Sequence, residues 1–141
     1  MNVTKIFESE RVLICVRGAP GAGKTTFAEM IARRNVDKIL SADMFFEDEE
    51  GNYNWVAEKL RYAHEWCHDQ VEKYLKNNTP RVFVANTLIR ERDVNEYKEL
   101  AEKYNYEFVS IIVENRNERE SIHNVPKEII DKMVNKFSVK L

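Results

Sequence analysis

Residues 18 to 26, GAPGAGKTT, concentrate glycines around a lysine and two threonines. Gly18, Gly23, Lys24 and Thr25 meet the pattern G-x-x-x-x-G-K-[ST] of a phosphate-binding loop. The glycines let successive backbone N–H groups turn toward one anion, and the helix that follows adds its partial positive charge. Lys24 is expected to reach the terminal phosphates and Thr25 to offer its hydroxyl group to Mg²⁺. The predicted nucleotide-binding residues are Gly18, Ala19, Pro20, Gly21, Ala22, Gly23, Lys24, Thr25 and Thr26.

An acid that could activate a phosphoryl acceptor is expected where ligands bind in parallel sheets, at the carboxyl ends of the strands. Asp43, after KILSA, and Glu114, after SIIV, are the two candidates. Asp43 is favoured because its strand directly follows the helix of the phosphate loop. A carboxylate there could accept the proton of an attacking hydroxyl group. The alternative is that Asp43 only caps a following turn.

Positive charge must also meet the transferring phosphoryl group. The segment ENRNERES at 114–121 follows the last apolar segment and supplies Arg116 and Arg119. We predict that this segment closes over the donor as a lid, whereas a solvated charged loop is the alternative. The predicted catalytic residues are therefore Asp43, Lys24, Arg116 and Arg119.

A second motif competes with the phosphate loop. Residues 64–68, HEWCH, match the zinc-protease pattern H-E-x-x-H, in which His64 and His68 would share a metal and Glu65 would act as base. A catalytic zinc needs a third protein ligand, and no convincing one follows. We favour two half-buried surface histidines that flank the apolar stripe of a helix.

Two other classes of phosphate-loop protein fit poorly. A GTPase would need the guanine-reading sequence N-K-x-D, and the nearest string, NKFS at 135–138, lacks the aspartate. A motor ATPase would place an acidic pair after a strand, whereas VFVA runs into Asn86–Thr87. A kinase is therefore the favoured class.

The elements that must position these residues follow from the apolar pattern. Short apolar segments predict four strands: RVLICV (11–16), KIL (38–40), RVFVA (81–85) and YEFVSIIV (106–113). Apolar residues at helical spacing predict the intervening helices, which run from Thr25 to about Asn35, from about Trp55 to Leu75 and from Arg92 to Tyr104. A last helix is expected from about 124–126, with Ile129, Met133 and Phe137 packed inward. Alternating strands and helices predict an α/β fold with one small, doubly wound parallel sheet.

Length, charge and composition indicate the number of domains, the expected partners and the cellular compartment. The 141 residues fit one domain, 1–141. Proteins that bind long nucleic acid without sequence specificity usually carry a net positive charge, whereas this chain has a net charge of −2. Any contact with nucleic acid is therefore expected to be local. No apolar run approaches the roughly 20 residues that cross a bilayer, and no signal peptide is evident, so we expect a cytoplasmic protein without membrane contact. Cys15 and Cys67 form no C-x-x-C and are expected to be buried, reduced thiols.

The order of these motifs resembles the polynucleotide 5′-kinase-like P-loop family. That family includes the kinase domain of bacteriophage end-healing enzymes, the Nedd4-binding-protein-2-like proteins and small phage ATP-binding proteins. The matching stretches are RGAPGAGKTT, ILSADMFF, the helix with AHEWC, the segment ANT at 85–87, and IHNVPKEIIDKM at 122–133.

The resemblance implies a kinase-like, three-layer P-loop fold that uses ATP or another NTP as donor and Mg²⁺ as cofactor. It implies general-base catalysis by Asp43, donor contacts by Lys24 and Thr25, and a lid role for Arg116 or Arg119. The implied reaction moves the γ-phosphoryl group to the 5′-hydroxyl of a nucleic-acid end.

The chain also departs from the pattern of these relatives. Many of them have an aspartate where Ala85 stands, and the arginine that grips the acceptor's phosphate in the phage enzymes would fall at Phe46. The acidic run EDEE (47–50) that follows would repel a polyanion. A nucleoside, a nucleotide or another small hydroxyl compound is therefore the alternative acceptor. A nucleotide-binding module with little turnover is the alternative from another class.

Overall fold

A parallel sheet of four strands forms the centre of the fold. The strands are β1 (Val12–Arg17), β2 (Lys38–Leu40), β3 (Arg81–Ala85) and β4 (Glu107–Ile112), in the spatial order β2-β3-β1-β4. Each neighbouring pair is parallel. The computed structural model describes residues 11–116 and 124–141. The prediction of a small, doubly wound parallel sheet is confirmed, and β2 and β3 have the predicted bounds.

Burial along the strands follows their place in the sheet. Every residue of the central strand β1 is buried, which is why its sequence is a continuous apolar run and does not alternate. The edge strand β4 has no buried residue, and Glu107, Ser110 and Ile112 are exposed. Val16 of β1 is in register with both Ala85 of β3 and Ile111 of β4. The loops that follow these strands therefore leave the sheet at one common edge.

Helices cover both faces of the sheet. They are α1 (Lys24–Ile31), α2 (Leu60–Lys76), α3 (Glu91–Lys103) and α4 (Lys127–Lys136), with short 3-10 turns at Ala42–Phe46 and Ala57–Lys59. One core joins Leu13 and Cys15 of β1 to the buried stripes of α2 and α3. The opposite core joins Ile14 and Val16 to Ala28 of α1. The result is the three-layer arrangement expected of a kinase-like P-loop protein.

The last helix differs from the prediction. None of the residues of α4 is buried, Ile129 is 44% exposed, and Met133 and the following Phe137 are only half-buried. The expectation that Ile129 packs inward was therefore wrong. The reason is that Ile129 and Met133 line an open groove at the start of α3.

Two other expectations can be compared with the structure. Cys15 and Cys67 are both buried and free, as predicted. Within the described ranges, no helix combines the length and the apolar character that a bilayer crossing would need.

Candidate active site

The phosphate loop connects β1, which ends at Arg17, to α1, which begins at Lys24. Gly23 stands at the N-cap with φ 96°, a left-handed conformation that glycine adopts without the steric penalty of a side chain. No side chain caps the first turn of α1, and Thr25 and Thr26 in that turn are exposed. The backbone N–H groups at this helix end are therefore suited to an anion.

Gly18 has a different structural task from Gly23. A Cβ atom at position 18 would lie 2.5 Å from the carbonyl oxygen of Val113. The backbone N–H of Val113 donates to the carbonyl of Arg17 across 2.8 Å, and that of Gly18 donates to the carbonyl of Thr87 across 3.3 Å. The first glycine thus lets the loop leave β1 between the ends of β3 and β4.

Lys24 folds back on the loop. Its Nζ donates hydrogen bonds to the carbonyl oxygens of Gly18, across 3.0 Å, and of Ala19, across 2.9 Å. Burial lowers the pKa of Lys24 to about 8, against an opposing effect of the nearby Asp43 carboxylate. The structure therefore brings two of the predicted catalytic residues, Lys24 and Asp43, within electrostatic reach of each other.

Asn86 fixes the turn that carries Asp43. The backbone N–H of Ala42 donates to Oδ1 of Asn86 across 2.8 Å, and Nδ2 of Asn86 contacts Sγ of Cys67 at 3.5 Å. Asn86 is only 6% exposed, so these bonds are shielded from water. In the sequence, Asn86 was noted because no acid follows the strand VFVA and because it belongs to the matching stretch ANT at 85–87. The signal available was a polar residue at a strand end, where ligands bind.

The acidic run 47–50 belongs to a short hairpin. Glu47 and Tyr53 form an isolated antiparallel bridge, and the backbone N–H of Asp48 donates to the carbonyl of Asn52 across 2.9 Å. The Asp48 carboxylate accepts N–H bonds from Asn52 and Glu50, which lower its pKa. Asp48 is therefore a turn-forming residue.

The hairpin returns the chain to Asp43. The hydroxyl group of Tyr53 donates to Oδ1 of Asp43 across 3.1 Å. Burial, followed by the charge of Asp43, raises the pKa of the Tyr53 phenol, so it stays a hydrogen-bond donor. Nothing local in the sequence indicates this contact, because its two residues are ten positions apart across an irregular segment.

Aromatic side chains pack around Tyr53, next to its contact with Asp43. Phe46 is buried and makes edge contacts with Phe45 and Tyr53, at centroid distances of 5.3 Å and 6.1 Å. Trp55 lies 6.5 Å from Phe46 and is 52% exposed. The position at which the resemblance would place an acceptor arginine is therefore occupied by a core residue.

Arg17, the last residue of β1, immediately precedes the phosphate loop and is only 2% exposed. Its Nε donates to the carbonyl of Leu88 across 2.9 Å, and its two terminal nitrogens donate to Glu91 across 3.3 Å and to the carbonyl of Ser138 across 2.7 Å. The ring of Phe137 lies 4.6 Å from the guanidinium carbon. Arg17 was not among the predicted site residues, although a charged residue at the end of a buried strand was a signal.

Residues 137–140 are held by the same cluster. The N–H of Ser138 donates to the carbonyl of Ile89 across 2.8 Å, and its Oγ accepts the N–H of Glu91 across 2.9 Å. The N–H of Lys140 donates to the Glu91 carboxylate across 2.9 Å. The segment after α4 is thereby joined, through Arg17, to the base of the phosphate loop.

Of the predicted lid, 114–121, the structure describes residues 114–116. Arg116 lies beyond the end of β4, is largely exposed and forms an ion pair with Glu114. That guanidinium lowers the pKa of Glu114. The described part of the segment thus pairs Arg116 with a neighbour two positions away. Arg119 lies outside the described residues.

Glu65 and His68 of the H-E-x-x-H motif contact different partners. Glu65 forms an ion pair with Arg61 across 3.1 Å, and the ring of His68 packs on Tyr97 at 5.5 Å. His64 is exposed. Residues 11–116 and 124–141 contain no group of three His, Cys, Asp or Glu side chains that could hold a metal ion.

Three comparisons relate the chain to known proteins. A family model described as an AAA domain matches residues 13–139. Human NEDD4-binding protein 2 is 27% identical over 134 residues, which cover 89% of this chain. The chain spans only 8% of the length of that relative.

Solved structures share the fold. Kti12 from Chaetomium thermophilum, in complex with ADP-AlF3, matches with a TM-score of 0.62 at 17% identity, over 90% of this chain and 80% of that one. A chain of the Pnkp1/Rnl/Hen1 RNA repair complex matches with a TM-score of 0.61 at 19% identity, over 92% of this chain and 45% of that one. The APS kinase CysC of Mycobacterium tuberculosis matches with a TM-score of 0.56 at 10% identity, over 91% of this chain and 97% of that one.

Proposed function

This chain belongs to the AAA domain family and has a P-loop kinase-like fold, and from that premise we propose that it is an ATP-dependent phosphotransferase. In this proposal it moves the γ-phosphoryl group of ATP to a hydroxyl group. The observation that carries the proposal is the placement of two side chains: Nζ of Lys24 is bonded to the loop carbonyls of Gly18 and Ala19 after β1, and Asp43 lies in the turn that follows β2. A phosphate-binding cation and a candidate base thus share one edge of the sheet.

On the donor side, Lys24 and the first turn of α1 bind the phosphates of ATP. Lys24 exchanges its bonds to the carbonyls of Gly18 and Ala19 for phosphate oxygens, and the uncapped N–H groups of α1 bind the same anion. The exposed hydroxyl group of Thr25, next to Lys24, fits Mg²⁺, whose preferred ligands are oxygens. Mg²⁺, if held by Thr25 and the nucleotide, would supply neutralisation of the charge on the terminal phosphates.

On the acceptor side, Asp43 takes the proton of the attacking hydroxyl group. Tyr53 and Asn86 position it, the first by donating to Oδ1 and the second by accepting the N–H of Ala42. Neither Tyr53 nor Asn86 needs to touch the substrate for this role. Their bonds hold the carboxylate in the orientation that proton transfer requires.

The acceptor is proposed to be the 5′-hydroxyl of a nucleic-acid end. The motif order supports this choice, as does the shared fold with a chain of an RNA repair complex. The acidic hairpin residues 47–50 and the buried Phe46 favour the alternative, a nucleoside, a nucleotide or another small hydroxyl compound. A module that binds nucleotide with little turnover is the candidate from another class.

One assay tests the proposal. The protein is incubated with labelled ATP and with 5′-hydroxyl DNA, 5′-hydroxyl RNA or nucleosides, beside Asp43→Asn and the matched control Asp69→Asn, an exposed residue of α2. Removing the general base should lower transfer by about 10²- to 10⁴-fold while ATP binding persists, and the control should retain full activity. Transfer that survives Asp43→Asn, or ATP binding without transfer to any acceptor, contradicts the proposal.

A further inference from the structure

A groove separates the start of α3 from α4. It is open to solvent and has a volume of about 440 Å³. Its lining residues come from the loop before α3, from the first turn of α3 and from one side of α4. They are Ile89, Arg90, Arg92, Asp93, Ile129, Lys132, Met133 and Lys136.

The groove concentrates positive charge in a chain whose net charge is −2. Its four cations, Arg90, Arg92, Lys132 and Lys136, are exposed. Their one acidic neighbour in the lining, Asp93, accepts the backbone N–H of Arg90 across 3.2 Å and forms an ion pair with Arg92 across 3.9 Å. The groove is therefore suited to an anion.

The α4 side of the groove is amphipathic. Ile129, Lys132, Met133 and Lys136 follow one another at spacings of three, one and three residues, which places them along one face of the helix. The acidic residues of α4, Glu128 and Asp131, are not part of the lining. An apolar floor between cations matches a nucleic-acid strand, which carries phosphates beside apolar base and sugar surfaces.

The groove adjoins the candidate active site through covalent and hydrogen-bonded connections. Its residue Ile89 accepts the N–H of Ser138, and the preceding Leu88 accepts a hydrogen bond from Arg17 at the base of the phosphate loop. The repulsive residues 47–50 lie on another segment, after β2. In the sheet order β2-β3-β1-β4, the acidic hairpin follows the edge strand β2, whereas the groove is linked through Leu88 to Arg17 at the end of β1.

We propose that this groove binds the phosphodiester backbone of a single-stranded nucleic acid. Its role as the acceptor's docking site rests on the proposed function, whereas the binding itself does not depend on catalysis. The cations neutralise backbone phosphates, and Ile129 and Met133 contact the strand between them. A local site of this kind is compatible with the absence of a basic field over the whole chain.

Binding is measured by the fluorescence anisotropy of a 3′-labelled, single-stranded 5′-hydroxyl oligonucleotide, without ATP and over a series of salt concentrations. The test variant is Lys132→Gln/Lys136→Gln, and the matched control is Lys76→Gln/Lys98→Gln, two exposed lysines of α2 and α3 outside the groove. The test variant should weaken binding and reduce the slope of log affinity against log salt by about 1.4, or about 0.7 for each phosphate that is no longer neutralised. The control should leave the slope unchanged.

Competition distinguishes a strand site from a general anion site. Unlabelled oligonucleotide should displace the probe more effectively than tripolyphosphate at equal phosphate concentration, because only the oligonucleotide contacts the apolar floor. Equal competition, or wild-type binding by Lys132→Gln/Lys136→Gln, overturns the proposal. Transfer assays then separate it from the proposed function: the test variant should raise KM for oligonucleotides and leave transfer to nucleosides unchanged.

Discussion

Tyr53 donates a hydrogen bond from its hydroxyl group to Oδ1 of Asp43 across 3.1 Å. The contact explains the hairpin between the two residues, which turns at Asp48 and returns the chain to the carboxylate. The ring of Tyr53 also makes an edge contact with the buried Phe46. The acidic hairpin therefore has a structural purpose, namely to bring a phenol to the candidate base.

Replacing Tyr53 by Phe should slow phosphoryl transfer and leave ATP binding intact. A hydrogen bond to a charged group contributes about 1.5 to 3 kcal/mol, so loss of orientation should lower kcat by roughly tenfold or more. Steady-state kinetics measure this change, with KM for ATP as the internal reference. Tyr62→Phe, at a residue that is 60% exposed, is the matched control. A wild-type kcat in Tyr53→Phe would contradict the positioning role.

The affinity for MgATP should depend on pH through Lys24. The pKa of Lys24 is lowered to about 8 in the nucleotide-free protein, because burial disfavours the ammonium form. Phosphate oxygens favour the charged form, so binding should take up a proton above pH 8. Affinity should be level below pH 8 and fall by up to tenfold per pH unit above it.

Calorimetry in buffers of different ionisation enthalpy measures this proton uptake directly. Lys24→Arg carries a side chain that stays protonated throughout this range, so its binding should release or take up no proton from this position. Equal proton uptake by the wild type and Lys24→Arg at pH 9 would show that another group is responsible.

Gly18→Ala should destabilise the protein and weaken nucleotide binding together. The new methyl group would lie 2.5 Å from the backbone carbonyl of Val113, so the strand ends must move apart. Overpacking of this kind typically costs about 1 to 3 kcal/mol. Chemical denaturation gives the free energy of unfolding, and a nucleotide titration gives the affinity.

Gly51→Ala is the control for that substitution. Gly51 has φ 84° but no atom within 4 Å of an added Cβ, so the change should cost only backbone strain and leave nucleotide affinity unchanged. Equal effects of the two substitutions on nucleotide binding would contradict a special role of Gly18 in shaping the loop.

Arg17→Met should lower the free energy of unfolding by about 2 to 4 kcal/mol, since it leaves the Glu91 carboxylate and two carbonyls without their buried partner. Glu91→Gln keeps an acceptor oxygen and should cost less. The double variant should cost less than the sum of the two single changes, because the residues share one network. Urea denaturation of the three variants measures these differences, and strict additivity would show that no such network operates.

The sheet and the phosphate loop were predictable from the sequence because their signals are local. Buried parallel strands read as short apolar runs, so β3 was recognised with its observed bounds, Arg81–Ala85. The phosphate loop carries its own pattern of glycine, lysine and threonine. The choice of Asp43 as base came from the rule that ligands bind at strand ends, and its role stays a prediction.

The contacts that complete the site were not predictable, because they join distant residues. The bond from Arg17 to Ser138 spans 121 positions, and that from Ala42 to Asn86 spans 44. No periodicity indicates such pairings. The inward packing predicted for Ile129 failed for a related reason: an apolar stripe does not show which neighbour, or whether any neighbour, covers that face of the helix.

The hydrogen bond from Arg17 to the carbonyl of Ser138 can form only late in synthesis of the chain. Ribosomes add about 5 to 20 residues per second, so the 121 residues that separate these two positions correspond to roughly 6 to 24 seconds of translation. Throughout that interval, the nascent chain carries a phosphate loop whose supporting guanidinium has not met its last acceptor. The loop appears early on the ribosome, but it acquires its full support only after residues 137–140 have been made.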